Sequence, residues 1–116
     1  MEIKSIVSAL AALAQESRLT IFRLLVQAGP TGLPAGKISE VTGIAPSSLS
    51  FHLKEMSHAS MVTSRQEGRF VIYAANFCTM NTLITFLTEN CCQGEPCMPE
   101  SLACAVGDVG CERSNH

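Results

Sequence analysis

Apolar residues recur along this chain with one period as far as His58 and with a different one beyond it. Ile3, Ile6, Val7, Leu10 and the Leu13-Ala14 pair repeat at intervals of three and four, which predicts a first helix with one apolar face. After the Gln15-Glu16-Ser17 interruption, the run Arg18-Leu19-Thr20-Ile21-Phe22-Arg23-Leu24-Leu25-Val26 is so apolar that most of a second helix must be core. Gly29 and Pro30 end that helix, because a proline cannot continue it. A short third helix is expected from about Pro34 to Thr42, with Ile38 and Val41 inward and Gly43 as its stop. Only Ile44 and Ala45 then precede the next helix, so the two are joined by a tight turn, as in a helix-turn-helix.

That fourth helix, Ala45-Pro46-Ser47-Ser48-Leu49-Ser50-Phe51-His52-Leu53-Lys54-Glu55-Met56, organises the reading. Proline suits the first helical position, and Leu49, Leu53 and Met56 form a buried stripe. Ser47, Ser48, Ser50, His52 and Lys54 are expected to face outward. Hydroxyls and an imidazole can meet phosphates or base edges without holding a helix out of the major groove. Taken alone, the stretch also describes an ordinary amphipathic helix with a solvated face, and its neighbours have to decide. Past His58 the alternation changes to that of strands, over Met61 to Arg65 and Phe70 to Ala74. Gln66-Glu67-Gly68-Arg69 reads as a hairpin turn with positive φ at its glycine. Arg65 and Arg69 flank the turn, where a wing touches backbone phosphate.

A last helix is expected from about Asn76 to Asn90, with Phe77, Met80, Leu83, Ile84 and Leu87 along one stripe. The fold class is therefore mainly α with a β-hairpin: a winged helix-turn-helix of five helices and a two-stranded wing. Residues 1–90 would form the DNA-binding and dimerisation domain, and 91–116 a mobile, cysteine-rich tail. The first and last helices hold more apolar surface than so small a core covers, which fits core packing or a dimer interface. Binding to double-stranded DNA favours the homodimer, since one winged helix reaches only one half-site.

A net charge of −2 over 116 residues looks adverse to DNA binding until it is divided. Residues 1–75 carry seven basic against five acidic side chains, whereas everything after has Arg113 alone against five acids. Binding would rest on a local patch and be salt-sensitive. No long apolar run suggests a membrane span and no signal-like segment opens the chain, so a cytoplasmic protein is expected. In a reducing cytosol, six cysteines point to metal binding or redox work before structural disulfides.

The chain resembles the ArsR/SmtB family of bacterial metal-responsive repressors. The likeness is carried by Ala14-Gln15-Glu16-Ser17-Arg18-Leu19-Thr20-Ile21, by Leu49-Ser50-Phe51-His52-Leu53-Lys54, and by Gly68-Arg69 with Tyr73, and it covers about residues 3 to 90. It implies a homodimer, paired through the first and last helices, that represses an operon until a metal or metalloid loosens it from its operator. Two departures stand out. Ser60 occupies a position where the family usually has glycine, at a cost on the order of 1 kcal/mol if the backbone there is left-handed. The third helix also lacks the Cys-x-Cys of the best-known arsenic sensors, and the last helix lacks the Asp/His ligand set of the zinc sensors.

The thiols lie at Cys78, Cys91, Cys92, Cys97, Cys104 and Cys111. Cys78 falls beside the apolar stripe of the last helix and reads as a small core residue. Cys91 and Cys92 are adjacent, and Gly94 and Pro96 let the chain double back so that Cys97 reaches them, at about 3.5 Å of reach per residue. Three thiolates suit a soft ion, and trivalent arsenic (arsenite) or antimony, which take three sulfurs, fit best. Some family members carry similar cysteines after the last helix. Cys104 and Cys111 are seven apart, about 10.5 Å on a helix, too far to share an ion. The alternative is a thiol-redox or divalent-metal (cadmium or zinc) regulator on the same fold. No enzyme is expected, since a redox enzyme would need a Cys-x-x-Cys in a thioredoxin-like setting.

Overall fold

The structure, a computed structural model, describes residues 2–89. Its elements are α1 (Ile3–Leu13), α2 (Glu16–Ala28), β1 (Leu33–Pro34), α3 (Ala35–Thr42), α4 (Pro46–His58), β2 (Val62–Glu67), β3 (Phe70–Ala75) and α5 (Phe77–Thr88). Residues 2–76 form one compact unit, and α5 belongs to another. The five expected helices and the hairpin are present; Cys91, Cys92, Cys97, Cys104, Cys111 and the expected tail lie outside the described residues.

The first unit is built on Ile21, Leu25, Ile38, Leu49, Leu53, Met56 and Met61, the largest side chains fully removed from solvent. At about 25 cal/mol per Å² of apolar surface, each contributes on the order of 1.5–3 kcal/mol. Gln15 caps α2 by accepting the Arg18 backbone N–H at 3.0 Å on its side-chain oxygen, satisfying a donor that a helix start leaves open. In α1 the buried residues are Ile6, Ala9 and Ala12, while Ile3, Val7 and Leu10 are exposed. The expected apolar face of α1 is thus divided: Ile6 packs inward with the small Ala9 and Ala12, and Ile3, Val7 and Leu10 are left to solvent.

A third strand joins the expected hairpin. Leu33 and Pro34 pair antiparallel with Tyr73 and Ile72, giving the order β1-β3-β2. Pro34, expected to open the third helix, instead ends this strand and precedes α3 in an extended conformation, a position where its fixed φ is compatible and no ladder donor is missed. Ile38 is fully buried as expected, but Val41 is 54% exposed. It lines an open groove with Leu19, Thr20 and Arg23. A helix of only eight residues buries a single side chain completely here.

Helix α4 ends in two reciprocal hydrogen bonds, Met61 N–H to the Met56 carbonyl at 2.9 Å and Ser60 N–H to the Ser57 carbonyl at 3.0 Å. This is a Schellman arrangement, which needs a left-handed residue after the cap. Ser60 supplies it with φ of +62°, the sole non-glycine residue with positive φ among the described residues. A side chain there costs roughly 1 kcal/mol relative to glycine. Ser60→Gly is therefore expected to raise stability by about 1 kcal/mol, read as a higher urea midpoint with unchanged slope; an unchanged midpoint would count against stored strain.

Candidate nucleic-acid interface

The turn between α3 and α4 is held by short side-chain bonds. Ser39 Oγ donates to the Ile44 carbonyl at 2.6 Å, Thr42 Oγ1 donates to the Ile38 carbonyl at 2.7 Å, and the Ile44 N–H returns to Thr42 Oγ1 at 3.2 Å. Gly43, at φ of +77° in the left-handed region, reverses the chain. With donors and acceptors satisfied in this way, the start of α4 is fixed relative to α3. Pro46 occupies the first turn of α4.

Leu49, Leu53 and Met56 are buried as the periodicity predicts, and Ser47, Ser48, Ser50 and Lys54 are exposed. His52 departs from the expectation. It is half-buried, and its Nδ1 is shut off from solvent without a hydrogen-bond partner. The reason is helical geometry: His52 is three residues after Leu49 and four before Met56, so it runs along the ridge of the buried stripe. Phe51 takes the outward position instead, 57% exposed, its ring edge-on to His52 with centroids 5.9 Å apart at 63°. The sequence reading gave Phe51 no role. Its spacing of four from Ser47 and three from Lys54 was the available signal.

The wing is a tight hairpin in which Glu67 pairs with Phe70 across Gly68 and Arg69. Gly68 has φ of +63°, and Arg69 does not share the positive sign, the pattern of a type II′ turn. The two wing arginines differ in what they do. Arg65 Nε donates to Glu67 Oε2 at 2.7 Å and its terminal nitrogen to the Thr31 carbonyl at 2.7 Å, tying the wing to the loop before β1. Arg65, expected with Arg69 as a phosphate contact, is thus also engaged within the molecule, its side chain remaining 42% exposed. Arg69, exposed at the turn, makes no ion pair among the described residues. Arg69→Ala is expected to weaken binding to all DNA sequences alike and to lower the salt slope by about one, measured by anisotropy across a salt series. A loss confined to one sequence would mean that Arg69 reads bases.

Helix α5 carries Leu83 buried, Phe77, Met80 and Ile84 half-buried, and Leu87 59% exposed. Cys78, expected in the core, is exposed and disulfide-bonded. Among the described residues no group of three His, Cys, Asp or Glu side chains could hold a metal ion. No helix there is long and apolar enough to cross a membrane.

These features define a winged helix-turn-helix, with α3 and α4 as the helix pair and β2–β3 as the wing. Comparison with known proteins agrees: residues 13–65 match a family described as a helix-turn-helix domain. The chain is similar to the HTH-type transcriptional regulator YgaV of Escherichia coli, 28% identical over 83 residues that span 72% of this chain and 82% of YgaV. Among solved structures it is similar to HlyU from Vibrio cholerae, with 29% identity, a TM-score of 0.62, 80% of this chain and 100% of that one covered. HlyU has also been solved in its reduced form. The homodimeric winged helix-turn-helix DNA-binding domain Mb0332 of Mycobacterium bovis, a possible ArsR-family regulator, matches with a TM-score of 0.61 over 84% of this chain and 90% of that one; at 21% identity it is a likeness of fold. YgaV is by its name a transcriptional regulator.

Proposed function

We propose that this protein is a homodimeric, DNA-binding transcriptional repressor of an arsenic-resistance operon, released from its operator when trivalent arsenic or antimony binds Cys91, Cys92 and Cys97. The DNA-binding part rests on α4, whose exposed Ser47, Ser48, Ser50 and Lys54 stand on a helix start fixed by the Ser39 and Thr42 bonds, beside a wing tipped by Arg69. The inducer part is carried by one observation, the Cys91-Cys92-x-x-x-x-Cys97 spacing that follows α5. Three thiolates without a nearby imidazole suit a thiophilic ion of trigonal demand. Both activities belong in a compartment that holds DNA and keeps thiols reduced, the cytosol.

A second reading is favoured by a different observation, the disulfide at Cys78. Release could follow oxidation of two thiols, which would give two protons and two electrons to hydrogen peroxide and yield a disulfide and two waters. Titrating the operator complex in parallel with arsenite, antimonite, cadmium, zinc and peroxide separates the readings. The arsenic reading expects arsenite to release DNA, with coupling of about 5- to 150-fold that operator DNA returns as weaker arsenite binding. Serine at Cys91, Cys92 or Cys97 should leave DNA binding intact and abolish that release, while serine at Cys104 or Cys111 should change little. Release by peroxide alone, reversed by a dithiol and lost in Cys78→Ser, would replace the arsenic reading by the redox one.

A further inference from the structure

The outward line of α4 ends up with an aromatic at its centre. At about 100° per residue, Ser47, Phe51, Lys54 and His58 follow one another along the side opposite Leu49, Leu53 and Met56, and all four are exposed. Phe51 is 57% exposed on the face that carries the polar residues. Leaving a phenyl ring in water forgoes much of the gain from burying it, a gain that contact with an apolar group would restore. The ring lies edge-on to the half-buried His52, their centroids 5.9 Å apart.

We infer that Phe51 is a sequence-reading residue that recognises the C5-methyl group of a thymine in the major groove, with Ser47 and Lys54 on either side of it engaging polar base edges or phosphate. An exposed apolar side chain on a groove-facing helix has one apolar target among the base edges there, the thymine methyl. The phenyl ring supplies no hydrogen bond and so cannot read the donor and acceptor pattern of the other edges. The inference rests on α4 being the recognition helix and adds to it the identity of one base contact in each half-site.

The experiment uses the full chain and an operator obtained by selection from random duplexes. Each thymine is replaced in turn by deoxyuridine, which removes the methyl group and keeps every hydrogen-bonding edge. For the parent protein, deoxyuridine at one position of each half-site should weaken binding about fourfold per half-site, the worth of one buried methyl-sized group. For Phe51→Ala the same replacement should make no difference, while Phe51→Leu should retain part of it. Circular dichroism of the variants should match the parent, since Phe51 is not in the core. If the parent selects an operator but no thymine methyl matters, or Phe51→Ala keeps the deoxyuridine effect, the Phe51 assignment is overturned and the recognition helix stands. If the parent selects no sequence at all, the DNA-binding reading falls with it.

Discussion

A Val7→Lys protein is expected to be a folded monomer whose operator affinity is about a hundredfold or more below that of the parent. The argument starts from α1, where Ile6, Ala9 and Ala12 are buried and Ile3, Val7 and Leu10 are left 67%, 57% and 41% exposed. These three recur at four and three residues and so form one stripe. Full burial of each is worth up to about 1.5–3 kcal/mol, less what is already covered, and two-fold symmetry counts every contact twice. On the order of 6 kcal/mol results, at the low end of the roughly 4–15 kcal/mol that association costs. One helix is therefore marginal, and the proposed pairing also draws on α5, where Leu87 is 59% exposed. A lysine at position 7 puts a charge into the stripe that pairing would have to remove from water. With one half-site held in place of two, specific binding falls steeply. Leu87→Lys should act the same way. Sedimentation at micromolar concentration and operator titration check both; a monomeric parent, or a Val7→Lys dimer that binds normally, would sink the pairing.

The second large effect is on stability. Gly32→Ala is expected to cost about 3 kcal/mol, on the order of 12–24 °C in Tm for a domain of this size. Gly32 has φ of +72°, which costs a residue with a side chain about 1–2 kcal/mol. A Cβ there would also collide with the Tyr73 carbonyl oxygen and lie 3.0 Å from Ile72 Cγ2. These atoms belong to β3, and the next residue, Leu33, pairs with Tyr73, so relief requires moving β1 off the sheet. Gly43 is the control: its φ is +77°, yet nothing lies within 4 Å of an added Cβ, so Gly43→Ala should lose only the conformational part, about 1 kcal/mol. Equal losses from the two substitutions, in urea or thermal unfolding, would remove the close approach as the cause.

Much of the architecture was legible in local chemistry. The three- and four-residue spacing of Leu49, Leu53 and Met56 sufficed for α4, because a helix on a core repeats its apolar side chains with its own turn. Gly43 and Gly68 marked reversals that few other residues make cheaply, and both have positive φ. At Ser60 it was the resemblance to a family that usually has glycine there that pointed to the position, and its φ is +62°. The candidate DNA face was legible at its serines, Lys54 and Arg69, all polar residues that had little reason to be buried.

What the chain alone left open were choices made by partners distant in sequence. In α1 large and small apolar residues lie on both sides, so periodicity could not say which would pack inward; the structure puts Ala9 and Ala12 inside with Ile6. A two-residue strand such as Leu33–Pro34 is too short to show a period and exists only because β3 is there to pair with it. Arg65 looked like a free cation until folding brought the Thr31 carbonyl, 34 residues earlier, to 2.7 Å. His52, expected outside, is half-buried for the same reason: its angular position runs along the Leu49–Met56 ridge, and that of Phe51, to which no role was given, leaves the ring out. Sequence determined the elements through local period and turn chemistry, and tertiary packing decided which face of each element meets the core and which remains for DNA or a second copy.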